Sequence, residues 1–143
     1  MTTQTIPQNS LQEIKTSLKL KLAALWTSVM FIIIYLDYFH LYMPDKIGDI
    51  QNGRVFVFDI TQEFLLVALA LVTLPALMIS LSVILPAKVN RWANIIAAAI
   101  NIPLILFNLA GEAWIHMVIG AIIQFILLCL IIVYAWKWPR TES

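Results

Sequence analysis

Residues 114–136, WIHMVIGAIIQFILLCLIIVYAW, run for twenty-three positions without an aspartate, glutamate, lysine or arginine. A helix of that length rises about 35 Å, enough to cross a hydrocarbon core about 30 Å thick. A helix buried in a soluble protein of this size would be shorter and would carry one polar face. Three further apolar stretches, 22–43, 63–85 and 93–110, are of similar length. Backbone groups left unpaired in lipid cost several kcal/mol each, so spans of this kind are helical. A transmembrane barrel would need short alternating segments, and these runs do not alternate. The reading is an all-α membrane protein with four spans.

Composition agrees with it. The 143 residues are 62% apolar and 12% charged, against about 45–50% and about 25% in a soluble domain. The first twenty residues are polar and the first apolar run exceeds a signal's apolar region, so no cleavable signal peptide is expected. Cys129 is the single cysteine, which leaves no internal disulfide and no cysteine-based metal site. A formal net charge of +1 gives no reason to expect nucleic acid as a partner.

The distribution of charge says more than its sum. Lys15, Lys19 and Lys21 precede the first span, Lys88 and Arg91 lie between the second and third, and Lys137 and Arg140 follow the fourth. The first loop has only Lys46 and Arg54, beside Asp45, Asp49 and Asp59. The positive-inside rule then puts both termini and the second loop on the cytoplasmic side of the membrane. Trp26, Trp92, Trp136 and Trp138 read as the interfacial belt of that face, with Tyr35, Tyr38, Tyr42 and Trp114 marking the opposite one.

Residues 1–21 form a cytoplasmic segment, 22–138 the transmembrane domain and 139–143 a cytoplasmic tail. Ser10 with Glu13 reads as a capping box. Leu11, Ile14, Leu18 and Leu22 then recur at helical spacing. They describe either a short interfacial helix entering the first span or a simple positive anchor. The segment from Arg54 to Asp59 is either a short strand or a loop in the headgroups. Pro75 and Pro103 predict kinks, and Pro86 closes the second span. Short connections predict an up-down-up-down bundle. Ala76 with Ser80 and Ala93 with Ala97 offer small residues for close helix approach.

Polar residues inside spans are the candidates for function. Asn94, Asn101 and Asn108 recur every seven residues, so they drift only about 20° per step and share a face. They are either interhelical hydrogen-bonding glue or one wall of a ligand site. His116, Gly120 and Gln124 share a face of the fourth span, and Gly120 leaves room there for a backbone, a water or a ligand atom. Asp37, Tyr38, His40, Glu63 and Glu112 complete the set. At about 1.5 Å per residue, Asp37 and Asn108 reach a similar height, roughly 20 Å from the basic face. The expectation is a polar vestibule open to the non-cytoplasmic side and lined by Asp37, Tyr38, His40, Glu63, Asn101, Asn108, Glu112, His116 and Gln124. The plainer reading is that many of these simply meet water at the interface. No metal-ligand spacing is present, and neither a metal nor another cofactor is expected.

Three runs carry a resemblance. They are Leu25-Trp26, Met30-Phe31 and Tyr35-Leu36-Asp37 in the first span, Asn90-Arg91-Trp92-Ala93-Asn94-Ile95 at the third, and Tyr134-Ala135-Trp136-Lys137-Trp138-Pro139 at the end. With them the chain from Lys15 to Pro139 resembles an uncharacterised family of small bacterial four-helix inner-membrane proteins, a domain of unknown function. The resemblance implies four spans and a bacterial inner membrane, and it brings no activity or catalytic residue. A looser similarity to the DoxX-like proteins rests on size and layout.

Function then divides three ways. The chain binds or transports a small or lipophilic ligand; or it is a structural or interaction subunit, alone or as a homo-oligomer; or it is a membrane enzyme. No nucleophile, base and orienting group occur together, so enzyme chemistry is the least supported and no catalytic residue is assigned. Small multidrug transporters carry an acid near the middle of the first span, whereas Asp37 lies near the outer end of this one.

Overall fold

A computed structural model describes residues 14–110 and 113–139. Helix α1 spans Leu18–His40, α2 Lys46–Gln51, α3 Gln62–Ile84, α4 Ala87–Asn108 and α5 Ile115–Trp136. Between α2 and α3 lie two short strands, β1 (Arg54–Val55) and β2 (Phe58–Asp59). The four long helices, α1, α3, α4 and α5, are each long and apolar enough to cross a membrane. They pack as a ring in which α1 touches α3 and α5, and α4 touches α5 and α3. Chain neighbours run antiparallel, as the short connections require.

The helix ends follow local chemistry. Residues 14–17 are not helical, and α1 starts where the Ser17 hydroxyl accepts from the Leu20 amide at 3.3 Å. The capping box expected at Ser10 and Glu13 lies outside the described residues, as do Leu11 and Arg140. Thr61 caps α3 in the same way, accepting from Phe64 at 3.1 Å. α4 begins at Ala87, six residues before the apolar run, because Pro86 at its N-cap has the φ a helix start needs and no N–H to leave unpaired. Pro75 and Pro103 both lie inside continuous helices.

The stretch after α2 is an antiparallel hairpin with Arg54 opposite Asp59 and Val55 opposite Phe58. Its turn holds Phe56 at φ +59°, a left-handed conformation rare for an aromatic residue. Phe58 folds back onto Phe64 of α3 and Phe107 of α4, with ring centroids 5.9 and 6.4 Å away.

The core is concentrated at the end where α1 begins and α3 ends. Leu22, Trp26, Val29, Met78, Ala97, Ala98, Ile105, Ala121, Leu128 and Ile131 form it. Ala97, Ala98 and Ala121 let backbones approach, as small residues do between helices in lipid. Of the expected small pairs, Ala97 is buried while Ser80 faces outward.

Candidate functional site

The polar residues of the interior gather where α1, α3 and α4 meet, and Asn94 is the centre of that gathering. Its Oδ1 accepts from Trp26 Nε1 at 2.7 Å and from the Ser82 hydroxyl at 3.1 Å. Its Nδ2 donates to the Asn90 carbonyl at 2.9 Å and to Asn90 Oδ1 at 2.6 Å. One amide thus uses both acceptor positions and both hydrogens to join three helices. Trp26, Ser82, Asn90 and Asn94 are all fully buried.

Proline chemistry explains why Asn90 belongs there. In a continuing helix the Ser82 carbonyl would accept from the residue four positions on, and that residue is Pro86, which has no N–H. Asn90 Nδ2 fills the gap, donating to the Ser82 carbonyl at 2.6 Å and to that of Leu85 at 3.4 Å. From α1, Lys19 Nζ donates to the carbonyls of Val83 and Leu85 at 3.2 and 2.7 Å. A cation at the negative end of the α3 dipole is favourable as well as hydrogen-bonded.

Trp26 therefore faces into the bundle and not outward toward headgroups. It is fully buried and spends its indole N–H on Asn94, whereas Trp92 and Trp136 are exposed as a belt requires. Gly120 also departs from expectation. A Cβ there would come within 2.6 Å of Leu36 Cδ2, so the space it leaves is taken by a leucine from α1 and not by a ligand.

The residues expected to line a vestibule are spread over several environments. Asn101 and Gln124 are buried, and Asn101 Nδ2 donates to the carbonyl of Ala97 on its own helix at 2.8 Å. Asp37, Tyr38, Glu63 and Asn108 are exposed, Glu63 in the first turn of α3 and Asn108 at the last position of α4. The Tyr38 hydroxyl lies 2.5 Å from that of Tyr42. That contact holds the Tyr42 hydroxyl, just past the end of α1, above the ordinary tyrosine pKa. His40 is half-buried and borders a void of about 10 Å³ shared with Lys46, Asp49 and Arg54. His116 is half-buried, lies edge-on to Trp114 at 6.1 Å, and has its Nε2 buried without a hydrogen-bond partner among the described residues. Glu112 lies outside the described residues. Among the described residues no group of three or more His, Cys, Asp or Glu side chains is placed to hold a metal ion.

The spacing of Asn94, Asn101 and Asn108 marks one face of α4 and does not give the partners of its residues. Trp26, Ser82 and Asn90 were not singled out as a group. The available signals were the four-residue step from Asn90 to Asn94 and the carbonyl that Pro86 orphans.

Four apolar spans closed around a hydrogen-bonded interior define an integral, multi-pass, all-α membrane protein. The chain belongs to DUF6326, a family of unknown function whose model matches residues 10–143. No curated protein and no solved structure matches it.

Proposed function

We infer that this chain is a structural or interaction subunit of a bacterial inner membrane, with both termini cytoplasmic, and that α3 supplies its contact with a second copy. The observation that carries the reading is how the interior polar groups are used. Asn94, Asn90, Ser82 and Trp26 bond to one another and to the end of α3, which leaves that network no free group to offer a ligand. The contact face follows from packing. Only 11% of the span of α3 is buried, against 28%, 33% and 28% for α1, α4 and α5. The unequal share of lysine and arginine between the two faces supports the orientation.

Disulfide trapping in native membranes tests it. In a Cys129→Ser background, Leu69→Cys on the bare face of α3 gives a cross-linked dimer on oxidation, and Ile122→Cys on α5 does not. Both positions are exposed. Absence of a Leu69→Cys dimer, or equal trapping at the two sites, removes the reading.

A second reading, a small or lipophilic ligand held toward the other end of the bundle, draws on His116 Nε2, which is buried without a hydrogen-bond partner among the described residues. A thermal-shift ligand screen on the native protein, His116→Gln and Asp37→Asn is its test. A ligand whose stabilising shift both variants abolish supports it, and no stabilising ligand at any pH counts against it.

A further inference from the structure

We propose that the groove between the start of α1 and the end of α5 seats the phosphate head of an anionic phospholipid. The groove is open, about 390 Å³ in volume, and lined by Lys15, Thr16, Ser17, Lys21, Tyr134 and Pro139 among others. Its wall therefore carries two ammonium groups and three hydroxyls, and among the described residues no carboxylate lines it.

The two lysines are available in a way their neighbour is not. Lys19 is committed to the last carbonyls of α3. Lys15 has no partner among the described residues. Lys21 Nζ lies 6.0 Å over the Tyr134 ring, which orients the ammonium without neutralising it. Among the described residues every carboxylate, from Asp37 to Glu63, belongs to the other end of the bundle or to the loop beyond it. Among the described residues the groove is thus a basic pocket without a counter-ion, placed at the ends of two membrane spans where lipid headgroups lie.

The flank of α5 distinguishes a lipid from a free anion. Leu130 and Ile126 follow Tyr134 at four-residue steps, so the three share one side of the helix. Leu130 is 39% and Ile126 53% exposed, which gives an apolar track leading from the groove into the bilayer core for an acyl chain. A soluble phosphate would have no use for that track.

The test uses the full chain purified in detergent and follows thermal stability and lipid adducts by native mass spectrometry. Phosphatidylglycerol should bind and stabilise, and phosphatidylcholine should not. Each lysine contributes about fivefold in affinity, so Lys15→Ala with Lys21→Ala should weaken phosphatidylglycerol binding roughly 25-fold. Lys15→Gln alone, ahead of the first helical residue and away from the packed core, should weaken it about fivefold with unchanged stability in the absence of lipid. Removing the same charge elsewhere on the basic face, with Lys88→Ala and Lys137→Ala, should change binding less than about twofold. Equal losses from the two lysine pairs would mean diffuse surface charge and would overturn the proposal. So would full stabilisation by inorganic phosphate alone, or equal binding of the two lipids.

Discussion

Asn94 shows how much one side chain can do inside a bilayer. Its amide holds Trp26 of α1, Ser82 of α3 and Asn90 of α4 together, and the Trp26 indole and the Ser82 hydroxyl are buried with their hydrogen bonds directed to it. Asn94→Leu keeps the branching at Cγ, adds some volume, and removes four hydrogen bonds. Because the partners are left buried, the expected loss is about 1–3 kcal/mol, more than a single interhelical bond in a membrane is worth. Reversible unfolding in detergent measures it, and an unchanged midpoint would mean that the network holds nothing. Gly120 acts by absence. A methyl there would meet Leu36 at 2.6–2.7 Å, so Gly120→Ala should destabilise by about 1–3 kcal/mol. Adding Leu36→Ala should recover part of that loss, and a strictly additive double variant would show that the two do not touch.

At the scale of the element, the two-residue corner between α3 and α4 is held from both sides. Asn90 serves the carbonyl that Pro86 leaves unpaired, and Lys19 reaches across from α1 to the carbonyls beyond it. Asn90→Leu should therefore open the last turn of α3 selectively. Hydrogen exchange there should rise, while the first turn of α3, capped by Thr61, stays protected. The hairpin presents the opposite case, an element that keeps an unfavourable conformation. Phe56 at φ +59° costs on the order of 1 kcal/mol, and Phe56→Gly should remove that cost and slow amide exchange in β1 and β2. Faster exchange in the variant would show that Phe56 contributes packing worth more than its strain.

For the whole molecule the main feature is asymmetry. Every buried residue of α1 lies between Leu22 and Met30, and every buried residue of α3 between Pro75 and Ser82, so these helices lock at the basic end. At the other end they carry Asp37, Tyr38 and Glu63, all exposed. Charged and aromatic groups at span ends can meet water and headgroups, which is why they need no mutual partners there. The orientation that follows is checked by labelling single cysteines, in a Cys129→Ser background, in intact cells and in inverted vesicles. Asn52→Cys should react from outside and Ser143→Cys only from inside, and the reverse pattern would invert the assignment.

The four spans were legible in the chain because a bilayer imposes one requirement, a continuous apolar stretch about 20 residues long, on each segment separately. Residues 114–136 meet that requirement with no reference to the rest of the chain. The positions of Pro86 and Pro103 and the stripe of asparagines on α4 were legible for the same local reason. The partners were not. A helical period says that Asn94 and Asn101 share a face; it does not say that the first bonds a tryptophan 68 residues away while the second turns back to its own backbone. Nor does it say that the gap at Gly120 is filled by Leu36. The sequence by itself determined the number and nature of the spans, since hydrophobicity and length are properties of a segment. Only the tertiary structure decided that Asn94, with Asn90, joins helices near the basic end while, among the described residues, Asn101 and Asn108 do not, since that depends on which side chains three different helices bring within hydrogen-bonding distance of one another.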